Sequence, residues 1–105
     1  VLFTFAISTS AIAQKVFAVQ YPNLADVKVY MVEYPNLADL LVYKVKYDNL
    51  AGKNDGKWFF VKYSNLADKK IYFTDYPNQA DVKICFVKNE NLAGWKNKGK
   101  MPLFY

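Results

Sequence analysis

A short motif written six times constrains this chain more than any other feature of it. Tyr21-Pro-Asn-Leu-Ala-Asp26 recurs as Tyr34-Pro-Asn-Leu-Ala-Asp39, Tyr47-Asp-Asn-Leu-Ala-Gly52, Tyr63-Ser-Asn-Leu-Ala-Asp68, Tyr76-Pro-Asn-Gln-Ala-Asp81 and Asn89-Glu-Asn-Leu-Ala-Gly94. The central residues Asn23, Asn36, Asn49, Asn65, Asn78 and Asn91 are 13, 13, 16, 13 and 13 positions apart. Self-similarity at a fixed short period means that one small unit is stacked, because a single copy cannot bury its apolar face alone. The motif's last residue runs Asp26, Asp39, Gly52 and then Asp68, Asp81, Gly94, so the copies form two triplets. Each triplet closes on its Gly and a Lys- and Asn-rich loop, which points to two halves related by an internal pseudo-two-fold axis.

Between the motifs lie 27–34, 40–47, 58–63, 69–76 and 82–87, all rich in Val, Ile, Tyr and Phe. Such residues fit a half-buried pleated surface, so these are strands. A period of two puts Tyr30, Val32 and Tyr34 on one face and Val29, Met31 and Glu33 on the other, repeated later as Tyr43, Val45, Tyr47 and Tyr72, Thr74, Tyr76. Pro before Asn is turn chemistry: Pro presets its backbone angle, and Asn tolerates the left-handed region or bonds its own backbone. The Ala of every copy reads as a place where a neighbouring backbone or ring leaves room for one methyl group. Links of about five residues favour antiparallel hairpins, since parallel strands ordinarily need a crossover of a dozen or more. A plain meander would expose two aromatic-rich edges, so the two halves are expected to cover each other.

At 53% apolar and 18% aromatic, the 105 residues are far from a disordered composition and suffice for one domain. Residues 1–13 carry no charge and run from apolar Val1–Ile7 into a small-residue stretch in which Ala11 and Ala13 flank Ile12. That is the outline of a secretory signal peptide, truncated at its start and cut before Gln14, leaving 14–105 as a single all-β domain. A strand over Thr4–Ile7 is the competing reading. Export implies a periplasmic or secreted product, and no later stretch reaches the ~18 consecutive apolar residues of a membrane helix. Cys85 is the single cysteine, so no internal disulfide can form, and its place in the repeat, that of Tyr30, Tyr43 and Tyr72, implies a core-facing thiol.

The residues carry little catalytic chemistry. Histidine, the commonest general base and metal ligand, is absent. Asp26, Asp39, Asp68, Asp81 and Glu90 would serve glycoside hydrolysis only if two of them faced each other, and calcium only if several turns converged. Because the aspartates recur at one turn position, an Asx bond or a pairing with Lys28, Lys70 or Lys83 is the better account. The expectation is a protein that is not an enzyme and has no cofactor, metal or catalytic residue. The net charge of +5 comes entirely from lysine, which attracts polyanions without the bidentate fork that reads bases, so nucleic acid is disfavoured. Surface binding is best served by two loops that set an indole beside ammonium and amide groups. They are Lys53, Asn54, Lys57 and Trp58 in one, and Trp95, Lys96, Asn97, Lys98 and Lys100 in the other. Their partners would be an anionic polysaccharide or an envelope protein. Against this, Trp58 and Trp95 also suit a role as plugs for the ends of a core.

The repeated Tyr-x-Asn-Leu/Gln-Ala-Asp, its switch to Ala-Gly at every third copy, and Gly56-Lys-Trp58 together resemble the 7(1) septoil knot domain family of bacterial proteins. The likeness spans nearly all of 15–105. Asn89 stands in place of Tyr, and the family's more usual Gln after the Asn survives only at Gln79. What the resemblance implies is a small β protein whose two intertwined halves thread the backbone into a seven-crossing torus knot. It implies no activity, cofactor or site.

Overall fold

The computed structural model describes residues 14–105, so the segment read as a signal peptide lies outside the described residues. Six strands form the body: β1 (Lys15–Ala18), β2 (Val27–Met31), β3 (Leu40–Lys44), β4 (Lys57–Phe60), β5 (Lys69–Phe73) and β6 (Val82–Phe86), with a short β7 (Gly94–Trp95). They are ordered β4, β1, β5, β2, β6, β3, and a β3–β4 pairing closes the ring into a barrel. Closure removes the open edges that a meander would have exposed. Strand β1 was not among the segments named from the sequence, because the first Asn-centred motif begins only after it.

Strands of the first triplet alternate with strands of the second, and all six pair in parallel. Among the described residues only β7 runs antiparallel, along the start of β3. This corrects the expectation of antiparallel hairpins, and the register explains it. Ala18 at the end of β1 and Val27 at the start of β2 both face Ile71 of β5, one on each side. The link between them steps over one strand of the other triplet, a span of about 10 Å at normal strand spacing, and does not return along a strand length. The same step recurs. Met31 and Leu40 flank Ile84 of β6, while Phe73 and Val82 flank Val29 of β2. Each triplet is therefore laid across the strands of the other, which is the intertwining the resemblance implied.

Every link contains one turn of 3₁₀ helix: Pro22–Leu24, Pro35–Leu37, Asp48–Leu50, Ser64–Leu66, Pro77–Gln79 and Glu90–Leu92. Pro22, Pro35 and Pro77 take the first helical position, where a missing N–H costs nothing. The Ala of each copy closes its turn: Ala25 donates its N–H to the Pro22 carbonyl, and the other five repeat this. Of the six only Ala38 is buried and the others are half-buried, so packing for one methyl is not uniform around the barrel. The central asparagines behave otherwise than expected. All six are exposed and lie within the 3₁₀ turns, and among the described residues the non-glycine residue with positive φ is Asn54, in the loop between the triplets.

Aspartates lock the triplets together. The Lys70 N–H donates to Asp26 Oδ2 at 2.8 Å while the Asp26 N–H donates to the Lys70 carbonyl at 2.8 Å. Asp39 with Lys83, Asp68 with Lys15, and Asp81 with Lys28 form the same two-bond clamp. Lys28, Lys70 and Lys83 are the partners expected and Lys15 is a fourth that was not, and in each case the carboxylate grips the lysine's backbone and not its ammonium.

The core is Val16, Val27, Val29, Leu40, Val42, Trp58, Ile71, Val82, Ile84 and Phe104. Each buried aliphatic side chain contributes about 1.5–3 kcal/mol. The inward face is thus that of Val27 and Val29, and the face of Tyr30, Tyr43 and Tyr72 is the outer one, half-buried where the links cross. Cys85 follows its repeat position outward: it is buried at 4% exposure yet stands outside the core cluster, its Sγ 3.8 Å from the Glu33 carbonyl of the link above it. A core-facing thiol is therefore corrected to one covered by a crossing link.

Gly56 sits where the two triplets join, at φ +87°, and a Cβ there would collide with the Leu41 carbonyl and the Gly94 nitrogen. Its carbonyl also accepts from the Tyr43 N–H at 2.8 Å. Gly56→Ala is expected to lower stability by about 2–4 kcal/mol, read as a shift in urea midpoint, whereas Gly99→Ala in the last turn changes it by less than about 1 kcal/mol.

Candidate functional site

The two loops singled out in the sequence come together at the end of the barrel where the strands begin. The third and sixth motifs end in Gly where the others have Asp, so the clamp is missing at both and the chain continues along the barrel end. Gly94, at φ +151°, lets β7 lie against Leu40 and Leu41. The following segment Lys98–Phe104 is a run of 3₁₀ helix, capped by Asn97, whose side chain accepts from the Gly99 N–H at 3.2 Å.

The indoles serve this closure. Trp58 is 1% exposed, with its ring 5.5 Å from Phe104 and 6.1 Å from Phe60. Trp95 is half-buried, 5.7 Å from Phe104, and its Nε1 donates to both the Asn54 carbonyl and Oδ1. Asn54 in turn donates to the Met101 carbonyl at 3.0 Å. Phe104 is thus the plug that both tryptophans hold, and Gln14 Nε2 donates to its carbonyl. Phe104 escaped sequence reasoning because it lies beyond the last motif, outside any repeat.

The lysines divide into two groups. Lys57 pairs with Glu90 at 3.7 Å and lies 4.0 Å from Asp55, and Lys100 pairs with Asp39 at 3.3 Å. Lys53, Lys96 and Lys98 are exposed. Of the nine residues proposed for binding, these three present ammonium groups without an ion pair among the described residues, while Trp58, Trp95, Asn54 and Asn97 are engaged in the fold.

The model of the 7(1) septoil knot domain matches residues 13–96. The chain belongs to that family. Within it, the matched region takes in all six strands and the six motifs, and ends at the second tryptophan loop. No curated protein and no solved structure matches the chain. Among the described residues of this septoil knot domain, no three of His, Cys, Asp and Glu gather to hold a metal ion, and no helix is long and apolar enough to cross a membrane.

Asp39 is the hub of the closed end. Its carbonyl accepts from the Lys96 and Asn97 N–H groups, and its carboxylate accepts from the Lys83 N–H, the Asn97 amide and, in an ion pair, Lys100. Burial raises its pKa, but the Lys83 N–H, the Asn97 amide and the Lys100 charge together outweigh burial, so the group titrates below the usual aspartate range. A depressed folded pKa stabilises the fold fully above the unfolded value, and the benefit disappears as pH falls through the folded one. Stability should therefore drop on acidification below the ordinary aspartate pKa, and Asp39→Asn should flatten that part of the curve in urea titrations run across pH.

Proposed function

We propose that this protein is an exported, non-enzymatic structural or interaction module of a bacterial cell envelope, periplasmic or secreted, whose physical asset is resistance to unfolding. The observation that supports this is the crossing of each triplet over the strands of the other, which a chain cannot undo by peeling off one edge. On this reading the backbone is a seven-crossing torus knot, as the family's description has it, and the terminus must be drawn back through the barrel before the chain opens. A barrier of that kind protects a small protein without disulfides from proteases that act on opened chains. The four repeat aspartates, each occupied with a backbone N–H of the other triplet, support the absence of catalytic duty.

A second reading is binding of an anionic glycan through loops 53–58 and 95–100. What favours it is that Lys53, Lys96 and Lys98 stand exposed on a loop pair pinned by the Trp95–Asn54 bonds.

Unfolding rates test the first reading. A protease site inserted in the exposed turn 48–50 lets the chain be cut after folding, leaving the barrel contacts but freeing two new ends. The intact protein is expected to unfold in denaturant at least about a hundredfold more slowly than the cut form. Equal rates would refute the threading. Export has its own test: expressed with its own leader, the protein recovered from the periplasm or medium should begin at Gln14 by amino-terminal sequencing, and retention of 1–13 would refute cleavage there.

A further inference from the structure

The opposite end of the barrel, where the strands finish, gathers positive charge on one side. Continuing the inward alternation of each strand past its core residues gives Ala18, Met31, Lys44, Phe60, Phe73 and Phe86. Lys44 is the exception among five apolar residues. Its ammonium lies 5.3 Å from the ring centroid of Phe60 and 4.5 Å from that of Phe86, and the two rings are 6.4 Å apart. Each such contact attracts a cation by about 0.5–1 kcal/mol at an exposed site, so Lys44 is held in place over the rings.

The three strands that supply this cluster, β6, β3 and β4, are consecutive in the barrel. Two residues past Lys44, Phe60 and Phe86 stand the exposed Lys46, Lys62 and Lys88. At the same positions after β1, β5 and β2, on the other side of the rim, stand Gln20, Asp75 and Glu33. The rim is thus basic on one side and neutral to acidic on the other. None of the four rim lysines is in a salt bridge among the described residues. Tyr47 and Tyr63, which follow Lys46 and Lys62, are 65% and 66% exposed.

We propose that this basic side of the rim binds an acidic polysaccharide, with its carboxylates on Lys44, Lys46, Lys62 and Lys88 and its sugar faces against Tyr47 and Tyr63. Four like charges drawn to one place repel one another until an anion joins them, and a linear polyuronate brings evenly spaced carboxylates of the complementary sign. Lysine suits this ligand because a compact ammonium can donate to carboxylates that approach from many directions. Exposed tyrosine rings offer an apolar face to the C–H groups of a pyranose and a hydroxyl to its rim. The site is independent of kinetic stability, and it lies at the end of the barrel opposite the tryptophan loops.

Isothermal titration with polygalacturonate at low salt tests it, with folding of each variant checked by circular dichroism. Lys62→Gln with Lys88→Gln should weaken binding about tenfold, and Tyr47→Ser with Tyr63→Ser should weaken it at least about threefold. Lys28→Gln with Lys83→Gln removes the same charge from the beginnings of β2 and β6 and should change affinity by less than about twofold, while Lys96→Gln with Lys98→Gln reads the tryptophan-loop end separately. Equal losses in every lysine pair would mean attraction by net charge alone and overturn the site. Loss confined to Lys96 and Lys98 would overturn it in favour of the loop reading. Absence of binding by the natural chain, or tighter binding of single-stranded DNA than of polygalacturonate, would overturn the assignment to an acidic glycan.

Discussion

The fold depends on a hydrogen-bond exchange between an aspartate and a backbone it meets only in three dimensions. Asp26, Asp39, Asp68 and Asp81 each give an N–H to a lysine carbonyl of the other triplet and take that lysine's N–H on the carboxylate. A bond to an ionised acceptor is stronger than a neutral one. Here it is placed where a link comes down beside a foreign strand, so it fixes both the register and the identity of the neighbour. Where the motif ends in Gly, at Gly52 and Gly94, no carboxylate clamp forms. At those two points the chain leaves the pattern, once to cross into the second triplet and once to seal the barrel end.

Much of this was legible in the sequence. Six copies, two triplets and a β-rich period of two all correspond to what the barrel contains. Three of the four aspartate partners were legible as well, though neither Lys15 nor the backbone atoms that make the bonds were. What sequence reasoning missed in the strand pairing has a single cause. It took strands consecutive in sequence to be neighbours in space, and from that followed the antiparallel pairing and the link geometry. Met31 and Leu40 are adjacent to the same Ile84, so an eight-residue link suffices for parallel strands. No local signal in 32–39 reveals which strand lies beneath it.

The inward face was misread for a related reason. Tyr30, Tyr43 and Tyr72 are large and apolar enough to pass for core, and in a simple barrel their outward position would leave them bare. Crossing links cover that outer face in part, so a chain of this topology buries one side fully and the other partially. Cys85, smaller than the tyrosines it replaces, is covered almost completely. The two candidate loops meet at one barrel end, and Trp58 and Trp95 turn inward there, in the plug role the sequence also offered, because a barrel end with no further strand must be closed by something large. Phe104 completes that closure from beyond the last motif. Lys44, conversely, carried a readable signal, since a charge two residues after Val42 breaks the apolar face of its strand.

Interleaving also sets when the chain can begin to settle during synthesis. Strand β1 is flanked by β4 and β5, and β2 by β5 and β6. A ribosome that has released the whole first triplet has released three strands that do not pair with one another. Not until Phe73 has emerged does any of them gain a neighbour on each side, so the first triplet waits on strands of the second before it can settle.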